Sequence, residues 1–160
     1  ILNKQHFDSE SILISGDVLT GQKIEMDMPL NFYHEGLSLI PFTKKRDFLG
    51  WILPGIEKYS VSRVFLSSLF KKKVTNMDTR INGSRRAIIP FGRWESMLPM
   101  DLIPDFIVKS ILAKDIEDME KYGIYECDPE DFSMCAYACQ SKVEVTKIID
   151  DGLKYMEQEG

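Results

Sequence analysis

The segment that most constrains this chain runs from residue 82 to residue 111. It opens on Asn82-Gly83, a pair suited to a tight turn because a type I′ turn needs positive φ at both central residues. Pro90, Gly92, Pro99 and Pro104 follow at intervals too short for one regular element to span, since each proline removes a backbone donor and fixes φ. Ahead of this segment lie short apolar runs broken by turn residues. Behind it apolar residues recur at helical spacing. The chain is therefore expected to be α+β, with strands and helices on either side of an irregular connector.

Three parts follow from this reading: a small β unit over residues 1–56, a helix and β connector over 57–100, and a helical bundle over 101–160. In the first part, Ile12-Leu13-Ile14 reads as a short strand closed by Ser15-Gly16-Asp17. Residues 23–28 alternate polar and apolar with period two, as in a strand with one wet face. Leu37-Ser38-Leu39-Ile40 reads as a strand stopped by Pro41. Lys44-Lys45-Arg46-Asp47 reads as a charged turn before a returning strand at residues 48–52. In the second part Ser60 suits an N-cap, and Val61, Val64, Phe65 and Leu69 fall on one helical face that ends at Lys71-Lys72-Lys73. Residues 74–81 are expected to pair as a strand with residues 85–89.

In the third part Pro104 opens a first helix, with Phe106, Ile107, Ile111 and Leu112 turned inward. Asp115 caps a second carrying Ile116, Met119 and Tyr122, and Gly123 stops it. Asp128-Pro129-Glu130-Asp131 caps a third, on which Phe132, Cys135 and Cys139 share a face. Val145, Ile148, Ile149, Leu153 and Met156 stripe a fourth. Four short helices with short links suit a small bundle.

Charge is divided in the same way as structure. From Asp101 onward there are 15 acidic and 6 basic residues, against 10 and 14 before it. The split points to different neighbours for the two parts, or simply to two differently solvated surfaces. A basic stripe suited to nucleic acid is absent, and so is any apolar run long enough to span a bilayer. Three cysteines at irregular spacing argue for a reducing compartment rather than a disulfide framework. No secretory leader opens the sequence. Ile1 begins inside what reads as ordinary folded sequence, so an upstream part is expected to be missing.

Candidate chemistry is sparse. Cys135 and Cys139 are four apart and would point the same way on a helix, as metal ligands or as two small buried apolar groups. An iron–sulfur cluster normally draws four thiolates, and only Cys127 remains to join them. Eight acids in residues 115–131 lack the alternating ligands and internal glycine of a calcium loop, and read as helix caps and solvated faces. Gly83-Ser84-Arg85-Arg86 could cradle an anion, or its arginines could pair with the acidic helical part, the favoured reading. Lys44-Lys45-Arg46 and Lys71-Lys72-Lys73 could meet an anionic membrane, or be a turn and a helix end. With two histidines and no nucleophile motif, no Ser/His/Asp site is proposed. No catalytic, cofactor-binding or metal-binding residue is assigned.

The connector also carries a resemblance. Asn-Gly-Ser-Arg-Arg-Ala-Ile-Ile-Pro-Phe-Gly at residues 82–92, with Trp-Glu-Ser-Met-Leu-Pro-Met-Asp at 94–101, resembles the NqrA family, one of the six components of the bacterial sodium-translocating NADH:quinone reductases. Residues 13–21, 50–55, 60–67, 128–139 and 157–160 agree in order with the same family. The resemblance implies the C-terminal portion of a peripheral component on the cytoplasmic face of the bacterial inner membrane. The complex would couple NADH oxidation and quinone reduction to sodium export, using flavins and iron–sulfur centres. Its other five components, the membrane component NqrB above all, would be the partners, with quinone reached through upstream domains. The implied fold is a β-grasp-like unit followed by a four-helix bundle similar to the cluster-binding bundle of the complex I flavoprotein, here without flavin or cluster. The competing readings are an iron–sulfur electron-transfer protein of the related Rnf type, a stand-alone soluble-ligand-binding module, and an adaptor.

Overall fold

The computed structural model describes residues 11–44, 47–50, 52–56, 58–59, 61–69, 78–81 and 83–160. The chain divides into two compact units, Ile1–Asn82 and Gly83–Gly160.

The first unit is built on a three-stranded antiparallel sheet of order β2-β1-β3, from β1 (Ser11–Ser15), β2 (Gln22–Ile24) and β3 (Leu37–Pro41). Leu13 lies opposite Ile24 on one side and Leu39 on the other, which places these three on one face. Between β1 and β2, Asp17 accepts from the amides of Leu19 and Thr20 and from the Thr20 hydroxyl, at 2.6, 2.8 and 2.8 Å. This is the local side-chain-to-backbone bonding that favours aspartate in turns. The alternating run at residues 23–28 is a strand only as far as Ile24. The Met28 amide then bonds back to the Glu25 carbonyl, so the period-two pattern continues into a turn.

Two expected elements of this unit are absent among the described residues. The returning strand at 48–52 is a pair of turns instead, with Leu49 at φ 50° and the Gly50 and Ile52 amides bonded to the Asp47 and Leu49 carbonyls. Charge fixes this corner. Lys58 Nζ lies 2.7 Å from Asp47 and donates to the Gly50 carbonyl at 3.0 Å. Arg80 bonds both Asp78 (2.7 Å) and Asp47 (3.3 Å). The expected helix over Val61–Leu69 reduces to one 3-10 turn, Leu66–Ser68. Arg63 at φ 52° interrupts helical backbone, and the Ser67 and Ser68 hydroxyls bond the carbonyls of Lys58 and Phe65. Val64 and Leu69 are left largely exposed, whereas Phe65 packs over Gly55, whose φ of 63° and lack of a Cβ both fit that contact. The expected cap Ser60, the lysine run 71–73, the strand residues 74–77, Lys45-Arg46, Trp51 and Asn82 lie outside the described residues.

The second unit holds four helices: α1 (Pro104–Ala113), α2 (Ile116–Lys121), α3 (Ser133–Ala138) and α4 (Val145–Glu159). Pro104 is at the first helical position of α1, where its missing N–H costs nothing. Lys114 closes α1 in the left-handed conformation. Asp115 caps α2 by accepting from the Asp118 amide at 3.1 Å, and Gly123, at φ 84°, ends it. The third helix starts later than expected. Asp128 accepts from the Glu130 amide at 2.8 Å in a turn, and regular helix begins only at Ser133.

Phe132, Ile107, Met119, Ile124, Ile149, Val108 and Val145 are fully buried in one cluster with Trp94, Leu98, Cys135 and Met156. The inward stripe of α1 is Pro104, Ile107, Val108 and Ile111. Phe106 and Leu112, expected inside, are exposed. Each residue of a helix turns about 100°, which carries Phe106 off the stripe and onto Tyr122, at 5.5 Å between ring centroids. On α4 a Cβ at Gly152 would lie 2.7 Å from Ile111, so glycine lets the two helices approach closely. Residues 85–89 are not strand, and residues 74–77 of the partner run expected for them lie outside the described residues. The Arg86 amide bonds the Ser141 carbonyl at 3.1 Å and the Ser141 hydroxyl the Ala87 carbonyl at 2.8 Å, so this run is tied to the α3–α4 link.

Candidate functional site

The three thiols are part of the helical core. Phe132, Cys135 and Cys139 are all buried, but only Cys135 lies on α3; Phe132 and Cys139 flank the helix, Cys139 in extended backbone, rather than sharing a helical face as the spacing predicts. Each sulfur has its own internal partner. Cys135 donates to the Trp94 carbonyl at 3.6 Å and Cys127 to the Gly123 carbonyl at 3.5 Å, while Cys139 accepts from the Val143 amide at 3.5 Å. Burial pushes the Cys127 thiol up to about 11 and the Cys135 thiol up to about 12. A thiol must lose its proton to bind metal or attack an electrophile, and these surroundings oppose that. Among the described residues, no group of three or more His, Cys, Asp or Glu side chains is arranged to hold a metal ion.

The neighbouring carboxyls gave no sequence signal. Asp105, in the first turn of α1, is only 4% exposed. Burial raises its affinity for the proton first, and the adjacent charge and hydrogen bonding of Glu95 raise it further, against a smaller opposing effect of Lys109. Glu95 and Asp105 also bear on Cys135. One Glu95 oxygen, Oε2, is shut off from solvent without a hydrogen-bond partner. At the sequence level Asp105 looks like an ordinary acid in a helix first turn. Only the fold turns it inward.

A second polar cluster sits in the sheet unit. The fully buried Ser15 hydroxyl lies 2.8 Å from His34 Nδ1 and accepts from the Asn31 amide at 3.1 Å. With the hydroxyl donating to Nδ1, all three groups are satisfied. Asp17 lies near enough for the imidazole to act weakly on its titration, but its carboxylate is held below the usual range chiefly by the Thr20 amide and hydroxyl. A serine with no exposed surface cannot meet a substrate. These contacts pin the segment between β2 and β3 to β1.

Several of the remaining sequence candidates that fall among the described residues have local partners. Arg85 pairs with Glu144 at 3.1 Å, both largely exposed, so the pair adds little stability. Lys44 lies 5.7 Å from the centre of the Phe42 ring. Asp115 and Asp128 cap a helix and a turn. Among the described residues no helix is long and apolar enough to cross a membrane.

Comparison with known proteins identifies relatives. No family model matches the chain. It is 38% identical over 149 residues, 92% of its length, to the NqrA component of the Na(+)-translocating NADH-quinone reductase of Vibrio anguillarum. It is 37% identical over 95% of its length to NqrA of Hahella chejuensis, and 36% over 96% to that of Pasteurella multocida. The chain spans about one third of the length of these relatives, 33–34%. In that third, over nearly all of its residues, the chain belongs to the NqrA family of the Na(+)-translocating NADH-quinone reductases.

Proposed function

We propose that this chain is a contact-making part of a sodium-pumping NADH:quinone reductase, and that it carries no electron-transferring group of its own. The observation behind the reading is the similarity of over nine-tenths of the chain to NqrA proteins at 36–38% identity. The complex would couple NADH oxidation and quinone reduction to sodium export. The chain would sit peripherally on the cytoplasmic face of the bacterial inner membrane, against the membrane component NqrB. Its sheet unit would be a β-grasp-like module and its helices a four-helix bundle.

Physical chemistry supports a scaffolding role over a redox one. A protein must hold a cofactor and tune it with aimed polar groups. Here all three thiols are buried in the core, burial pushes those of Cys127 and Cys135 upward, and Ser15 and His34 hold a loop. Exposed apolar side chains are instead abundant. Copurification tests the reading. A tagged chain is expected to bring down the other components of the reductase, and deleting residues 101–160 to abolish assembly and sodium-coupled turnover. Full assembly and turnover without those residues would contradict it, as would stoichiometric iron or flavin in the purified chain.

A further inference from the structure

The connection between β2 and β3 presents an aromatic tip. Phe32 and Tyr33 are 93% and 89% exposed, with ring centroids 5.1 Å apart and planes 87° apart. They occupy the middle of a turn closed by the His34 amide on the Asn31 carbonyl at 3.0 Å. Such positions ordinarily go to glycine, proline, asparagine or aspartate, so two aromatic rings there serve no need of the turn.

The tip is held from both sides. The Asn31 amide and His34 Nδ1 meet the same buried Ser15 hydroxyl, and the Asn31 side chain donates to Gln22 at 2.9 Å. The turn that carries the two rings is thus anchored at both ends, which lowers the backbone part of the ordering cost of binding. Met26, Met28 and Leu30, in the same connection, are exposed as well. Methionine and aromatic side chains are enriched in the cores of protein interfaces.

Charge selects the kind of partner. The connection carries Glu25, Asp27 and Glu35, all exposed, and no lysine or arginine between residues 25 and 36. An anionic lipid surface would repel it, because membrane-binding segments rely on basic residues. An apolar pocket rimmed by lysine or arginine would attract it.

We propose that the Phe32–Tyr33 tip is a docking anchor that inserts into an apolar, basic-rimmed pocket on another protein of the same assembly. The proposal rests on the reading of this chain as part of a multicomponent reductase, and it names the surface through which contact is made.

The test is site-directed photocrosslinking in the assembled complex. Benzoylphenylalanine at position 32 or 33 is expected to crosslink to a different polypeptide, at a site combining apolar residues with lysine or arginine. Phe32→Ser with Tyr33→Ser should weaken retention of the chain about thirtyfold, as for loss of an interface hot spot. Reversing charge with Glu25→Lys, Asp27→Lys and Glu35→Lys should weaken it further and lessen its sensitivity to salt. If the chain copurifies but the probe labels lipid, a second copy, its own polypeptide or nothing, the anchor is wrong and the reading as a reductase component stands. If the chain fails to copurify at all, that reading falls and the anchor with it.

Discussion

The two units solve the problem of staying folded in different ways. Gly83–Gly160 buries a continuous apolar cluster, with Phe132 its largest fully enclosed side chain. Among the described residues of the sheet unit, the buried side chains are Ser15 and Ile24. That unit is held by ladder bonds, by a serine hydroxyl shared between two anchors, and by the Asp47–Lys58–Arg80–Asp78 cluster. Apolar burial supplies about 25 cal/mol per Å² and tolerates little loss of volume. Exposed ion pairs each contribute about 1 kcal/mol or less, and buried hydrogen bonds are costly chiefly when one partner is removed. The lesson is that the helical unit is the part built for rigidity. Exposed large apolar side chains occur in both units, among them Phe32 and Tyr33 in the sheet unit and Phe91 and Leu112 in the helical one.

The largest effect should come from the helical core. Phe132→Ala empties the centre of the cluster and is expected to cost about 3–5 kcal/mol. Denaturant unfolding followed by amide exchange would show the loss at Gly83–Gly160. A loss shared equally by the strands β1–β3 would break the contrast between the units. Ser15→Ala should come next, at about 1–3 kcal/mol, because it strands both the Asn31 amide and His34 Nδ1. Exchange should rise at residues 25–36 and in β1. An unchanged rate there would mean that the buried hydroxyl does not hold the loop.

Acidity should separate the units by sign. Asp47 is held below the usual carboxylate value by its hydrogen bond and ion pair with Lys58, and Asp78 by its hydrogen bonds with Arg80. A depressed value adds stability above the ordinary 3.8 that is lost as pH falls through the folded-state value. Asp105 is the reverse case. Burial raises it, so the helical unit is favoured below 3.8 and loses that advantage as pH rises through the raised value. Asp105→Asn, always neutral, should remove the alkaline-side loss. With two tryptophans in the chain, Trp51→Phe leaves Trp94, buried in the helical core, as the reporter. A pH profile unaltered by Asp105→Asn would exclude the carboxyl as its source.

How much of this was legible in the sequence depended on whether local chemistry decided the outcome. Pro104, Asp115 and Gly123 mark helix boundaries because their backbone and capping properties act within a turn or two, and all three do so in the fold. The stripe Val145, Ile149 and Met156 on a long helix was equally readable. Val61–Leu69 had the same spacing, yet its serine hydroxyls and the left-handed Arg63 made a single turn of it. Residues 48–52 had the composition of a strand, but Asp47, Lys58 and Arg80, far apart in sequence, fixed a corner there. The Glu95–Asp105 pair and the Ser15–His34–Asn31 cluster were invisible for the same reason. Each joins residues that only the folded chain brings together.

One measurement bears most directly on the proposed docking role of the sheet unit, set beside a helical unit held by apolar burial: amide exchange of the chain alone against the chain in the assembled reductase. Assembly should slow exchange in the sheet unit, most of all at residues 25–36 around Phe32 and Tyr33, and leave the core amides of α1 and α4 as they were. Equal rates at residues 25–36 in the two states would contradict it.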